Sequence, residues 1–164
     1  MQAMYIFYLL NLLIIAYEDF KHRSVRLIWL ITLLFFTFFN WVSASGDYYQ
    51  VLFNILFVCI QLIVVTLYFN KVKKEKIVFD NIIGWGDIFI LLIFTLAFNF
   101  QNFVIFLNLA FALALSAHLF FQRITSKYGK TVPLAAYLAM THFVVIVLVL
   151  SKGFTVQYFY NSGF

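Results

Sequence analysis

A chain of 164 residues that is 65% hydrophobic and 10% charged, with a mean hydropathy of +1.00, excludes a soluble globular domain and points to a polytopic membrane protein. Its net charge of +5 is spread over short segments between apolar runs, with no folded basic face around it, which argues against nucleic acid as a partner. At ~20 residues per span the length admits about six transmembrane helices in a single domain, 1–164, an all-α membrane bundle.

The first apolar run covers about Met4 to Tyr17 and ends in the polar stretch Glu18-Asp19-Phe20-Lys21-His22-Arg23-Ser24-Val25-Arg26. With no basic residue before it and no small-residue cleavage site, it reads as a retained span rather than a signal peptide. A second run, Leu27 to about Ala44, stops at the turn-like Ser45-Gly46-Asp47. The third, Val51 to Phe69, contains the only cysteine, Cys59, which reads as a small buried hydrophobe. A lone cysteine also excludes disulfide frameworks and Cys-x-x-Cys zinc sites within the chain. After the basic segment Asn70–Lys76, a fourth run starts near Asp87 and continues to about Phe100. The fifth covers Phe103 to Phe121, and Pro133 opens the sixth, as suits proline at a helix start. The first and fourth runs are short, so their helices are expected to extend a turn into the polar flanks.

Charge sets the orientation. The segments after spans one, three and five hold Lys21, Arg23 and Arg26; Lys71, Lys73, Lys74 and Lys76; and Arg123, Lys127 and Lys130. The opposite loops hold none, and Lys152 stands alone in the tail. Under the positive-inside rule the three basic segments are cytoplasmic, in an inner (plasma) membrane.

That orientation brings two acids to one depth. Span one ends at Asp19 and span four starts at Asp87, both on the cytosolic side. A carboxylate costs ~2.5–3.5 kcal/mol at the centre of a membrane helix and less near the interface, so acids in so apolar a chain are candidates for function. Two carboxylates close together cannot both ionise cheaply. They share a proton, which leaves one acid and one base able to activate water. Glu18, beside Asp19, is the alternative partner. The macrodipoles favour the proton on Asp19, at the carboxyl end of its helix, and ionisation of Asp87, at the amino end of its own. A capping acid at a helix start is the structural alternative for Asp87.

Three segments carry a resemblance. Asp19-Phe20-Lys21-His22-Arg23-Ser24-Val25 resembles the Asp-x-Lys-x-Arg-x-Ile segment of type IV prepilin peptidases, GxGD-type intramembrane aspartyl proteases. Gly84-Trp85-Gly86-Asp87 is similar to that family's Gly-x-Gly-Asp motif. Lys130-Thr131-Val132-Pro133-Leu134-Ala135-Ala136-Tyr137-Leu138-Ala139 is similar to its Lys-x-Ile-Pro-Phe-Gly-Pro-x-Leu-Ala stretch. The resemblance implies an aspartyl endopeptidase with Asp19 and Asp87 as the catalytic pair and water as nucleophile, without metal or organic cofactor. It implies a prepilin-like membrane protein as substrate, cleaved at the cytosolic face to remove its leader. It also assigns substrate contact to Gly84, Gly86, Lys21, Arg23, Lys130 and Pro133. Three departures stand out: Arg26 where proline often follows, Phe89 where lysine is common, and Leu134-Ala135-Ala136 in place of Phe-Gly-Pro. With no cysteine-rich part, the chain looks like the short, peptidase-only members, including the archaeal preflagellin type.

Of the remaining polar residues, Asp47 and Asp80 read as solvated loop acids. His118 and His142 differ in depth by several ångströms, which argues against a shared metal. Both read as hydrogen-bonded packing. Asn11, Gln61 and Asn108 are expected to bond across helices. The alternative function is a non-catalytic membrane assembly or transport component that retains the fold. A transporter, however, would place its polar groups near the midplane and show paired repeats.

Overall fold

The computed structural model describes residues 2–68, 84–124 and 133–151, and within them every regular element is an α-helix. They are α1 (Gln2–His22), α2 (Leu27–Ser43), α3 (Tyr48–Tyr68), α4 (Trp85–Phe94), α5 (Phe100–Ile124) and α6 (Leu134–Ser151). Three of them, α3, α5 and α6, are long and apolar enough to cross a bilayer. The basic segment 71–76, Asp80, Lys127, Lys130 and Lys152 lie outside the described residues, as does the side chain of His118.

Helix α6 is the hub, packing most extensively against α1 and also against α4 and α5. Small side chains let it approach: Ala135, Ala136 and Ala139 are fully or almost fully buried, with Leu138 and Ile146 between the neighbouring helices. Opposite them lie Leu12, Ile15 and Ala16 of α1 and Ile90, Phe94 and Leu107 of α4 and α5. Large apolar side chains also cover the outside, among them Phe7, Phe35, Leu56, Leu115 and Leu148, as lipid tails would require. His142 is buried in the middle of this core. Its ring lies 4.5 Å from that of Phe94 and 5.0 Å from that of Phe98, and its Nε2 is 3.4 Å from the Tyr8 hydroxyl. The hydrogen-bonded packing expected of His142 is what the core contains.

Several expectations need correction. α1 does extend past its apolar run, to His22, but α4 is shorter than its run, ending at Phe94 after 10 residues. At 1.5 Å per residue that is ~15 Å, about half a hydrocarbon core. The chain turns at Thr95–Phe98 because α3 receives the freed carbonyls: the Asn54 carboxamide donates to Thr95 O (2.9 Å) and Phe98 O (2.8 Å). Asn99 then caps α5, accepting from the Asn102 amide at 2.9 Å. Cys59 is exposed on α3 rather than buried, since its face of the helix points away from the bundle. Asn11 does pair across helices, with Thr32 of α2, whereas Asn108 turns back to Val104 O of its own helix. Gln61 has no hydrogen-bond partner among the described residues. Asp47 caps α3 through the Tyr49 amide at 2.9 Å.

Candidate active site

Helix α6 begins directly after Pro133, whose carbonyl accepts the first helical bond, from Tyr137. A proline there brings no side-chain oxygen to cap the amides of the first turn, and these need acceptors. Two other helices supply them. Asp87 Oδ1, from α4, accepts from the Ala135 amide at 2.7 Å. Asp19 Oδ2, from α1, accepts from the Ala136 amide at 2.8 Å. Two carboxylates 68 positions apart in sequence are thereby held on consecutive backbone N–H groups. Bonded to neighbouring amides of one helix turn, the two carboxyl groups sit side by side.

The two acids are held differently. The second oxygen of Asp87 reaches back to its own helix start, accepting from the Gly84 amide at 3.3 Å. The capping role considered for Asp87 is therefore present, but it occupies one oxygen only. Asp19 Oδ1 accepts no hydrogen bond among the described residues, and the Arg23 guanidinium places a positive charge nearby. Asp19 is buried (6% exposed), while Asp87 is half-buried among the described residues. Neither glycine of the motif is demanded by the backbone. Gly84 is extended (φ −69, ψ 145), which any residue adopts. A Cβ on Gly84 would lie 3.4 Å from Asp87 Oδ2, and one on Gly86 would lie 3.8 Å from Val25. Among the described residues, then, each added Cβ would meet one neighbour only, Asp87 itself or Val25.

Glu18 is already engaged. Its Oε2 accepts from the Arg26 backbone amide at 3.0 Å, and its Oε1 accepts from Trp29 Nε1 at 3.1 Å and pairs with Arg26 Nε at 3.3 Å. It ties the end of α1 to the start of α2. This bond is open to Arg26 because it stands where a proline, with no N–H, is common. Arg23, at φ 56, makes the left-handed bend between the two helices. Lys21 is exposed, donating to the Tyr17 hydroxyl at 2.9 Å, and Pro133 is buried. Phe20 stacks edge-on against Tyr137 with centroids 5.3 Å apart, closing α1 on α6 beside Asp19. The groups that sequence reasoning missed are the Ala135 and Ala136 amides. Their only signal was Pro133, which leaves a helix start in want of outside acceptors.

An all-helical membrane bundle with two acids converging on one helix start defines a class of membrane protein in which a carboxylate pair is the site of interest. The chain matches the type IV leader peptidase family over residues 6–119, from α1 through most of α5, and belongs to that family, a family of leader peptidase-type proteases. No curated protein and no solved structure matches it. The matched region includes Asp19 and the Gly84–Asp87 motif and stops before α6.

Proposed function

We propose that the chain is an aspartyl endopeptidase that removes the leader from prepilin-like membrane proteins at the cytosolic face of the plasma membrane, with Asp19 and Asp87 as its catalytic pair. The observation that carries this reading is the capture of both carboxylates by consecutive amides of α6. The pair shares one proton, because burial and mutual repulsion oppose two charges. Asp87, with two amides on its carboxylate, is the ionised member, and Asp19 carries the proton on the oxygen that no amide holds.

Water between them loses a proton to Asp87 as its oxygen attacks the scissile carbonyl carbon. The proton of Asp19 passes to the carbonyl oxygen. As the tetrahedral intermediate collapses, the C–N bond breaks, the amine nitrogen takes the proton from Asp87, and Asp19 recovers one from the intermediate's hydroxyl. The missing side chains at Gly84 and Gly86 would let an unwound substrate segment reach Asp87, and apolar walls would keep bulk water from the seated bond. Lys21 and Arg23 would face the leader from the cytosolic side; Lys130, the third basic contact the resemblance implies, lies outside the described residues. The test is co-expression with prepilin-like substrates: cleavage reads as a loss of leader mass, and its absence across a panel of such substrates would favour the non-catalytic alternative.

A further inference from the structure

Asp19 stands in the last turn of α1, where carbonyls run out of helical donors and helices fray. The link to α2 is only four residues, 23–26. Arg23 holds there a left-handed conformation (φ 56) that L-residues adopt at a cost, and its amide bonds to the carbonyl of Asp19 itself at 3.0 Å. Any loosening of this bend therefore reaches the residue whose carboxylate is seated on the Ala136 amide.

Glu18 fastens the far end of the bend back to α1, through the Arg26 amide, the Arg26 guanidinium and the Trp29 indole. A polar hollow of about 360 Å³, lined by Glu18, His22, Ser24 and Arg26, opens beside these bonds, so hydrogen bonds rather than apolar packing hold this corner. Arg26 has φ −68 and ψ 137, and −68 is a φ at which a proline ring fixes the backbone. Its carbonyl, which a proline also offers, accepts from the Trp29 amide at 3.1 Å, and Val25 before it lies outside both helices, as suits a residue preceding proline. The backbone at 26 is thus held in proline's conformation without a proline, and the N–H that proline lacks is the one Glu18 binds.

We propose that Glu18 is a positioning residue for Asp19: by clasping Arg26 and Trp29 it fixes the α1–α2 bend as a proline at 26 would, and so keeps the Asp19 carboxylate on the Ala136 amide. Its consequence for cleavage rests on the peptidase reading above; the clasp itself is measured without substrate. Ala135 and Ala136 lie in the first turn of α6 and have no helical acceptor, so amide exchange at each reports its own carboxylate. In the full chain in phospholipid vesicles, Glu18→Leu should speed exchange at Ala136 about tenfold, the loss of one hydrogen bond or so, and leave Ala135, held by Asp87, as it was. Adding Arg26→Pro should return Ala136 to its original rate. If Glu18→Leu does not fold, Glu18→Gln, with one acceptor oxygen left, should show the same pattern to a smaller degree. With a prepilin-like substrate, Glu18→Leu should lower kcat by on the order of tenfold with less effect on KM, because a displaced Asp19 delivers its proton poorly to a substrate that still binds. The added proline should restore kcat, which it could not do for a carboxylate acting in the chemistry. Equal acceleration at both amides, as from a general loss of stability, or a double variant no better than Glu18→Leu would overturn the clasp. Selective acceleration at Ala136 in a chain that cleaves no prepilin-like substrate would keep the clasp and sink the peptidase.

Discussion

Asp19 and Asp87 depend on backbone groups that no side-chain motif encodes. The amide of Ala136 favours the charged form of Asp19, as any N–H donor to a carboxylate does. Ala136→Pro removes that donor. Proline in a first helical turn costs no intrahelical bond, so the helix should survive. If Asp19 supplies the proton, it must be protonated in the active form, and its ionisation sets the basic limb of the pH–rate profile. Without the amide, its charged form is less favoured, so that limb should move to higher pH. Movement of the acid limb instead would exchange the roles of Asp19 and Asp87. The motif of the resembling family has proline at this position, which identified residue 136 as a departure. Only the fold shows that the alanine's N–H is bound to Asp19. Glu18 teaches a similar lesson: adjacency to Asp19 made it a rival acid, and only tertiary structure shows it held by Arg26 and Trp29.

At the scale of elements, the boundaries of the long apolar runs were legible from composition, and those of α4 were not. Nothing in Leu96-Ala97-Phe98 resembles a helix breaker, and the run reads as continuous to Phe100. The helix stops because Asn54, on a neighbouring helix, satisfies the carbonyls that a turn exposes, and because Asn99 caps the next helix. Such long-range pairing leaves no local signature. Asn54→Leu should therefore destabilise the protein by ~1–3 kcal/mol, read as a lower unfolding midpoint in detergent. The change should loosen the α4–α5 turn, with faster amide exchange at Leu96 and Ala97. An unchanged midpoint and exchange pattern would show that the turn holds without α3.

For the molecule as a whole, the sequence was most informative about the membrane bundle, since apolar length and loop charge report directly on the solvent a helix must face. It also brought Asp19 and Asp87 to one depth through topology, though not to adjacent amides. The orientation itself is open to direct measurement. Reporter fusions after Lys74 and after Lys127 should behave as cytoplasmic, and a fusion after Gly46 should not. Export of the Lys74 fusion would remove leader access from the cytosol.

The central claim, that the carboxylate pair performs the cleavage, meets its most direct test in the two single amides. Asp19→Asn and Asp87→Asn each keep side-chain size and a carbonyl able to accept from the Ala136 or Ala135 amide, so both proteins should remain folded in the membrane. Each should lose cleavage of a prepilin-like substrate by on the order of 10²–10⁴-fold or more, because neither can exchange the shared proton. Full cleavage by the Asp87→Asn protein would contradict the account.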